Sequence, residues 1–205
     1  ALAVRRMLAR NALVNRLHAV ETLGCASVIC TDKTGTITEN KMTVQVICTA
    51  EKQFDVSGSG WQKHGSITQN GQPYPIRHQP DLLPLLECAV LCNHAKLTDD
   101  SAHPDEWQIT GDPTEAALLV GAAKCSITAD CLTRMRPVGE IPFESETRSM
   151  TVFMREGQTV TAYSKGAADI ILSHCTGYLS HGQIMPLTPQ KRAEILCTAD
   201  RHAED

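Results

Sequence analysis

The chain places an acid where a buried strand is expected to end. Val28-Ile29-Cys30 is short and apolar, and it runs straight into Thr31-Asp32-Lys33-Thr34-Gly35-Thr36-Ile37-Thr38. A carboxylate at the carboxyl end of a central strand occupies the ligand crevice of an open α/β sheet. The residues that follow suit a phosphate. Lys33 adds positive charge, Gly35 lets the backbone approach, and backbone N–H groups with the Thr34 and Thr36 hydroxyls can bind oxygens. Asp32 is therefore the candidate nucleophile toward a phosphoryl group, giving an aspartyl-phosphate. Two anions must otherwise meet, so this chemistry calls for Mg2+. A capping Asp in an ordinary turn is the plainer alternative. It suits a lone Asp and accounts poorly for the whole heptad.

A chain of 205 residues holds one sizeable domain, or a domain and a half. Its 42% apolar content supports a packed core, and a formal net charge of -4 counts against a nucleic-acid surface. No apolar run approaches the ~20 residues that cross a bilayer, so the chain is expected to be soluble, without a secretory signal. Its nine Cys are scattered, odd in number and mostly within apolar runs, and are expected to be reduced core thiols of a cytosolic compartment. Cys88, Cys92 and His94 form a C-x3-C-x-H pattern. No second pair at zinc-like spacing accompanies it, which favours a core reading over a metal site.

Local signals divide the rest. The basic segment from Ala1 to about Leu17 has helical spacing, and strands are expected at 25–30 and 43–49. Asn70-Gly71 reads as a tight turn within a Gly/Ser/Pro-rich stretch. Ser57-Gly58-Ser59-Gly60 lacks the Lys-Ser/Thr of a Walker phosphate loop. A helix is expected over Asp81–Cys92, with Pro84 tolerable in its first turn, and residues 96–110 read as a polar loop. Asp112-Pro113-Thr114-Glu115 opens a further helix: Asp112 as N-cap, Pro113 at the first position, Glu115 completing a capping box. Hairpins are expected around Glu156-Gly157 and His181-Gly182, a short helix over 167–173, and a last helix from Thr188-Pro189 that is still running at Asp205. Both termini fall inside helical patterns, so the chain is expected to be a piece of a longer protein.

Cys30 to Thr38 resembles the phosphorylation signature of P-type cation-transporting ATPases, members of the haloacid-dehalogenase superfamily. Val20-Glu21-Thr22-Leu23-Gly24, Glu39-Asn40-Lys41-Met42-Thr43, Gly111–Leu118, Phe143–Val152 and Ser164-Lys165-Gly166-Ala167 follow in the family's order, most like the calcium-pump branch. The resemblance implies catalytic roles for Asp32, Lys33 and Thr34, with Asp32 and Thr34 contacting Mg2+. It implies an ATP site in which Phe143 stacks on adenine, Thr114 and Glu115 line the base, Lys165 lies beside it, Gly166 leaves room for it, and Arg148 is near the phosphates. A core Phe at the start of a hairpin is the plainer alternative for Phe143. Ser145 stands where calcium pumps often carry Arg, which removes a cation. Phosphatases of the superfamily carry a second Asp two residues after the nucleophile as general acid/base. Thr34 cannot do that work, so a phosphoenzyme here should be long-lived.

The expected fold is α+β. Residues 46–205 form a nucleotide-binding domain of antiparallel sheet flanked by helices, and residues 1–45 form a stalk-helix end with an incomplete haloacid-dehalogenase-like α/β piece. The family's Gly-Asp-rich Mg2+ motif does not follow Lys165. The partners implied are ATP and the rest of a pump: its transmembrane and actuator parts and the remainder of the phosphorylation domain, at the cytosolic face of a membrane. The expected activity is ATP-driven cation transport, Ca2+ above other ions, by a hydrolase and translocase; the isolated chain should bind nucleotide without turnover. The alternatives are a soluble phosphotransferase or phosphatase of the same aspartate chemistry, and a non-catalytic nucleotide-binding module.

Overall fold

A computed structural model describes residues 2–14, 24–76 and 79–204. The upstream motif residues Val20 to Leu23, and Arg16 of the basic segment, lie outside these. The chain divides into two compact units, 1–40 and 41–205.

In the first unit, helix α1 spans Leu2–Leu8. The expected strand at 25–30 is not formed, and Val28 and Ile29 are 75% and 79% exposed. A strand needs a neighbour for its N–H and C=O groups, and none pairs with this segment among the described residues.

The second unit is mixed α+β. Strands β1 (Val46–Cys48), β2 (Gln53–Val56), β3 (Ile67–Gln69) and β4 (Gln72–Pro73) make one antiparallel sheet in sequence order. Asn70 and Gly71, at φ 52° and 75°, form the two-residue turn between β3 and β4. Two positive φ values in succession match the right-handed twist of the strands, which is why Asn-Gly suits this place. Helix α2 (Leu82–Leu91) follows, with Pro84 in its first turn, where no intrahelical N–H partner is lost. Next come β5 (Lys96–Asp99) and β6 (Trp107–Thr110), then helix α3 (Pro113–Lys124). The polar loop expected over 96–110 is thus a hairpin in its outer thirds. Leu97 and Ile109 face each other in register and pack on the core, an alternation too short to stand out among polar neighbours.

Strands β7 (Arg136–Glu144), β8 (Ser149–Glu156) and β9 (Thr159–Gly166) form a three-stranded antiparallel sheet. Helix α4 (Ala168–His174), hairpin β10 (Gly177–Ser180) and β11 (Gln183–Pro186), and helix α5 (Pro189–Glu204) complete the unit.

Helix α2 is apolar on two sides and is buried on both, which organises the core. Leu82, Leu86 and Val90 pack with Phe54, Val56 and Ile67 of the first sheet and with Ala116, Leu119 and Ala122 of α3. Cys88, Leu91 and Cys92 meet Met150, Val152 and Met154 of β8. Asp81 ahead of α2 is 6% exposed, and its carboxylate accepts N–H bonds from His181 and Gly182 at 2.8 and 2.7 Å, tying the β10–β11 turn to the helix start. Arg192 of α5 donates to the carbonyls of Leu172 and Cys175 at the end of α4, satisfying helix-end acceptors.

All nine cysteines are free thiols, but the expectation of core thiols holds only in part. Cys92 and Cys125 are buried, whereas Cys25, Cys30, Cys131 and Cys197 are exposed. Cys88 and Cys92 donate to the carbonyls of Ser164 and Met150, and burial pushes the Cys88 thiol up to about 11.

Candidate functional site

The expected binding residues come from four places: the start of α3, the bulged end of β7, the turn before β8 and the end of β9. Asp112 caps α3, its Oδ1 accepting from the N–H groups of Thr114 and Glu115 at 2.8 and 3.2 Å. Those two bonds, Glu115's the stronger in effect, hold the Asp112 carboxyl below the usual range. The reciprocal half of the capping box is not formed. Glu115 turns its carboxylate away from the cap: Oε1 takes the Lys165 ammonium at 2.6 Å and Oε2 takes the His94 N–H at 3.2 Å. Lys165 and Glu115 are 20% and 17% exposed, a half-sheltered ion pair joining β9 to α3. Thr114 is exposed, and its hydroxyl lies 3.4 Å from the Met42 sulfur.

Phe143 lies in a β-bulge. Ile141 pairs with Thr151 and Glu144 with Ser149, so Pro142 and Phe143 together oppose the single residue Met150. Pro142 has no N–H to give the ladder, and bulges of this kind re-aim a side chain. Phe143 is 59% exposed, which removes the core alternative. Met150 also pairs with Lys165 on its other side. The bulge and Lys165 therefore share one row of the sheet, two strand spacings or about 10 Å apart.

Two of the expected residues also answer to the fold itself, the first being Gly166. A Cβ there would sit 2.5 Å from the Arg148 carbonyl oxygen and 2.8 Å from Ser149 Cα, so glycine is required by its own neighbouring strand. Arg148, at φ 48°, donates to the Asp169 carboxylate at 2.5 Å rather than standing free for phosphates. That bond holds the Asp169 carboxyl below its ordinary range.

The segment 93–95 was not legible as part of the site. Asn93 Nδ2 donates to the carbonyls of Ala89 and Glu115 while its Oδ1 accepts from Ala95 N–H, so one amide joins the end of α2 to the start of α3. The His94 ring reaches Glu140 of β7 at 3.0 Å. The sequence signals were a polar pair placed directly after the buried Cys92 and the C-x3-C-x-H pattern, which pointed to a core rather than to a binding site.

In the other unit, the heptad closes on itself. Lys33 O accepts from the N–H groups of Ile37 and Thr38 at 3.0 and 3.1 Å, and Asp32 Oδ1 accepts Lys33 N–H at 2.7 Å. Asp32, Lys33 and Thr34 are all exposed. No cluster of three or more His, Cys, Asp or Glu able to hold a metal occurs among the described residues, and no described helix is long and apolar enough to cross a membrane.

A family model described as P-type ATPase, cytoplasmic domain N, matches residues 81–205. The chain belongs to the P-type ATPase family. It is 39% identical over 194 residues to a cation-transporting ATPase of Synechocystis sp., covering 91% of this chain and 21% of that protein. It is 36% identical over 196 residues to a calcium-transporting ATPase of Bacillus subtilis, covering 94% and 22%. It is 34% identical over 197 residues to the calcium-transporting ATPase type 2C member 1 of Homo sapiens, covering 94% and 21%. The chain thus spans about a fifth of the length of these P-type ATPases. The matched region holds Glu115, Phe143, Lys165 and the segment 93–95 together.

Proposed function

We propose that the 41–205 unit of this P-type ATPase piece binds ATP, with the base stacked on Phe143 and framed by Thr114, Glu115 and Lys165. Residues 46–205 are on this reading the nucleotide-binding domain, and 1–45 the stalk end and the first part of the phosphorylation domain. The observation that carries the reading is Phe143: an aromatic ring 59% exposed, set on a bulge in the same strand row as the Lys165–Glu115 pair. An exposed ring is costly to leave in water and ready to stack. Lys165 and Glu115 offer a donor and an acceptor to the base edge. Arg148 reaches the phosphates only by leaving Asp169, and Gly166 serves by letting β9 lie close to β8.

In the parent pump, the γ-phosphoryl of ATP passes to an Asp32 oxygen, the bond to the β-phosphate bridging oxygen breaks, and ADP leaves. The Lys33 charge and the N–H groups of the 33–36 turn orient the phosphoryl oxygens. Mg2+ suits hard oxygen ligands and keeps several waters, so the Asp32 carboxylate and a Thr34 oxygen on an exposed loop fit it. When bound, it neutralises charge on the phosphoryl oxygens. Thr34 gives no base to activate water, so the aspartyl-phosphate persists and drives ion movement. Calcium is the assigned ion because two of the matched relatives are calcium-transporting. The chain alone binds nucleotide without turnover, since Asp32 sits on a loop with no strand behind it among the described residues.

Titration of the chain with ATP, followed by NMR shifts, tests the site. Phe143→Ala should weaken binding by roughly 1–3 kcal/mol, the scale of base stacking. Unchanged affinity would remove Phe143 and with it this reading.

A further inference from the structure

We propose that His94 is a positioning residue of the nucleotide site, fixing the strand that carries the base platform against the Lys165–Glu115 pair. This rests on the reading above that Phe143 binds the base. His94 reaches both sides. Its backbone N–H donates to Glu115 Oε2 at 3.2 Å, so the carboxylate is held from one oxygen by Lys165 and from the other by His94. Its ring Nε2 lies 3.0 Å from both carboxylate oxygens of Glu140. Glu140 pairs with Val152, in β7 just ahead of the bulge that presents Phe143. The backbone at 94 cannot drift, because Asn93 is bonded to Ala89, Glu115 and Ala95. The ring is thus a strut between a pinned loop and the last regular stretch of β7.

A ring N–H that donates to a carboxylate makes a charge-assisted bond, stronger than a neutral one. The charged groups that its backbone and ring reach are Glu115 on α3 and Glu140 on β7. Lys165 is taken up by Glu115, which leaves Glu140 as the partner of the ring. Removing the ring or the carboxylate breaks the strut and loosens β7, and nucleoside binding weakens with it. His94 is 58% and Glu140 37% exposed, so the effect is that of a surface pair.

The test uses the whole chain and adenosine, with binding read by NMR shifts. Glu140→Gln and His94→Ala should each raise the dissociation constant about threefold, the scale of an exposed ion pair, and the double variant should lose no more than either alone. His94→Arg, which keeps a donor for the Glu140 carboxylate, should stay near the wild-type value, with thermal melts checking that all variants remain folded. Single variants that bind as wild type, losses that add in the double variant, or no rescue by His94→Arg overturns the proposal. Phe143→Ala in the same titration separates the two ideas. If it binds adenosine as well as wild type, the site assignment fails; if it loses binding while the His94 variants match wild type, only the strut fails.

Discussion

The two candidate regions are held in opposite ways. Among the described residues, every hydrogen bond of the 31–38 segment is local, spanning five residues at most, and its Asp32, Lys33 and Thr34 stand in solvent. The Glu115–Lys165 pair closes 50 residues of chain, His94–Glu140 closes 46, and Asp81 reaches 100 and 101 residues to the β10–β11 turn. A local turn needs little else to form and positions nothing relative to a distant group. Long-range polar ties form only once helices and sheets have packed, and they then fix side chains from separate segments at ångström spacing. The 41–205 unit is therefore the self-supporting half, and the 32–38 loop is a motif in need of a frame.

The largest expected effect lies in the long-range ties. Asp81→Ala leaves two N–H groups without their carboxylate and should cost roughly 2–3 kcal/mol in urea unfolding of the chain. Loss below about 0.5 kcal/mol would mean that the β10–β11 turn holds itself, and the contrast between the regions would shrink.

A cap gives a smaller, pH-marked effect. Asp112→Ala should cost about 1 kcal/mol at neutral pH, as N-cap losses do. The Asp112 carboxyl is lowered by its bonds to the N–H groups of Glu115 and Thr114. A depressed carboxylate contributes stability above its unfolded-state range, near pH 4, and that contribution is lost as pH falls through the folded value. Wild type and variant should therefore converge in melting temperature on acidification below about pH 4. Parallel curves down to the acid limit would show that the cap acts without its charge.

Much of this fold was legible because its punctuation is chemical. Asn70-Gly71 and His181-Gly182 sit at positive φ as two-residue hairpin turns require, and Asp112-Pro113 opens α3. Strand β7 was missed for an equally physical reason. All nine of its residues are exposed, so no alternation marks it, and Pro137 and Pro142 flank two register shifts. The segment 25–30 failed the other way: it has strand composition and no partner. For the site, Glu115, Phe143 and Lys165 were reached through motifs. Asn93 and Glu140 were not, and His94 was noticed only in a metal-like pattern, because their contacts exist only where three separated segments meet. Arg148 was placed near phosphates by motif position, and only its left-handed backbone and the acid at Asp169 redirect it.

The smallest expected effect is the most discriminating. Asp32→Asn keeps the shape of the side chain and its amide oxygen can still accept the Lys33 N–H, so the heptad turn should survive. The chain's melting temperature and its affinity for ATP should both stay at wild-type values, the stability change being within about 0.5 kcal/mol. On the proposed reading, the same change in the full-length protein removes the phosphoryl acceptor, and acid-stable phosphate labelling from ATP should vanish. A variant chain that bound ATP differently would couple the exposed loop to the nucleotide region, against the local bonding of that loop. A full-length variant that still took up label would move the acceptor to another side chain. Silence in the fragment together with loss in the pump is the one combination that fits a self-contained nucleotide region and a loop whose chemistry depends on a frame.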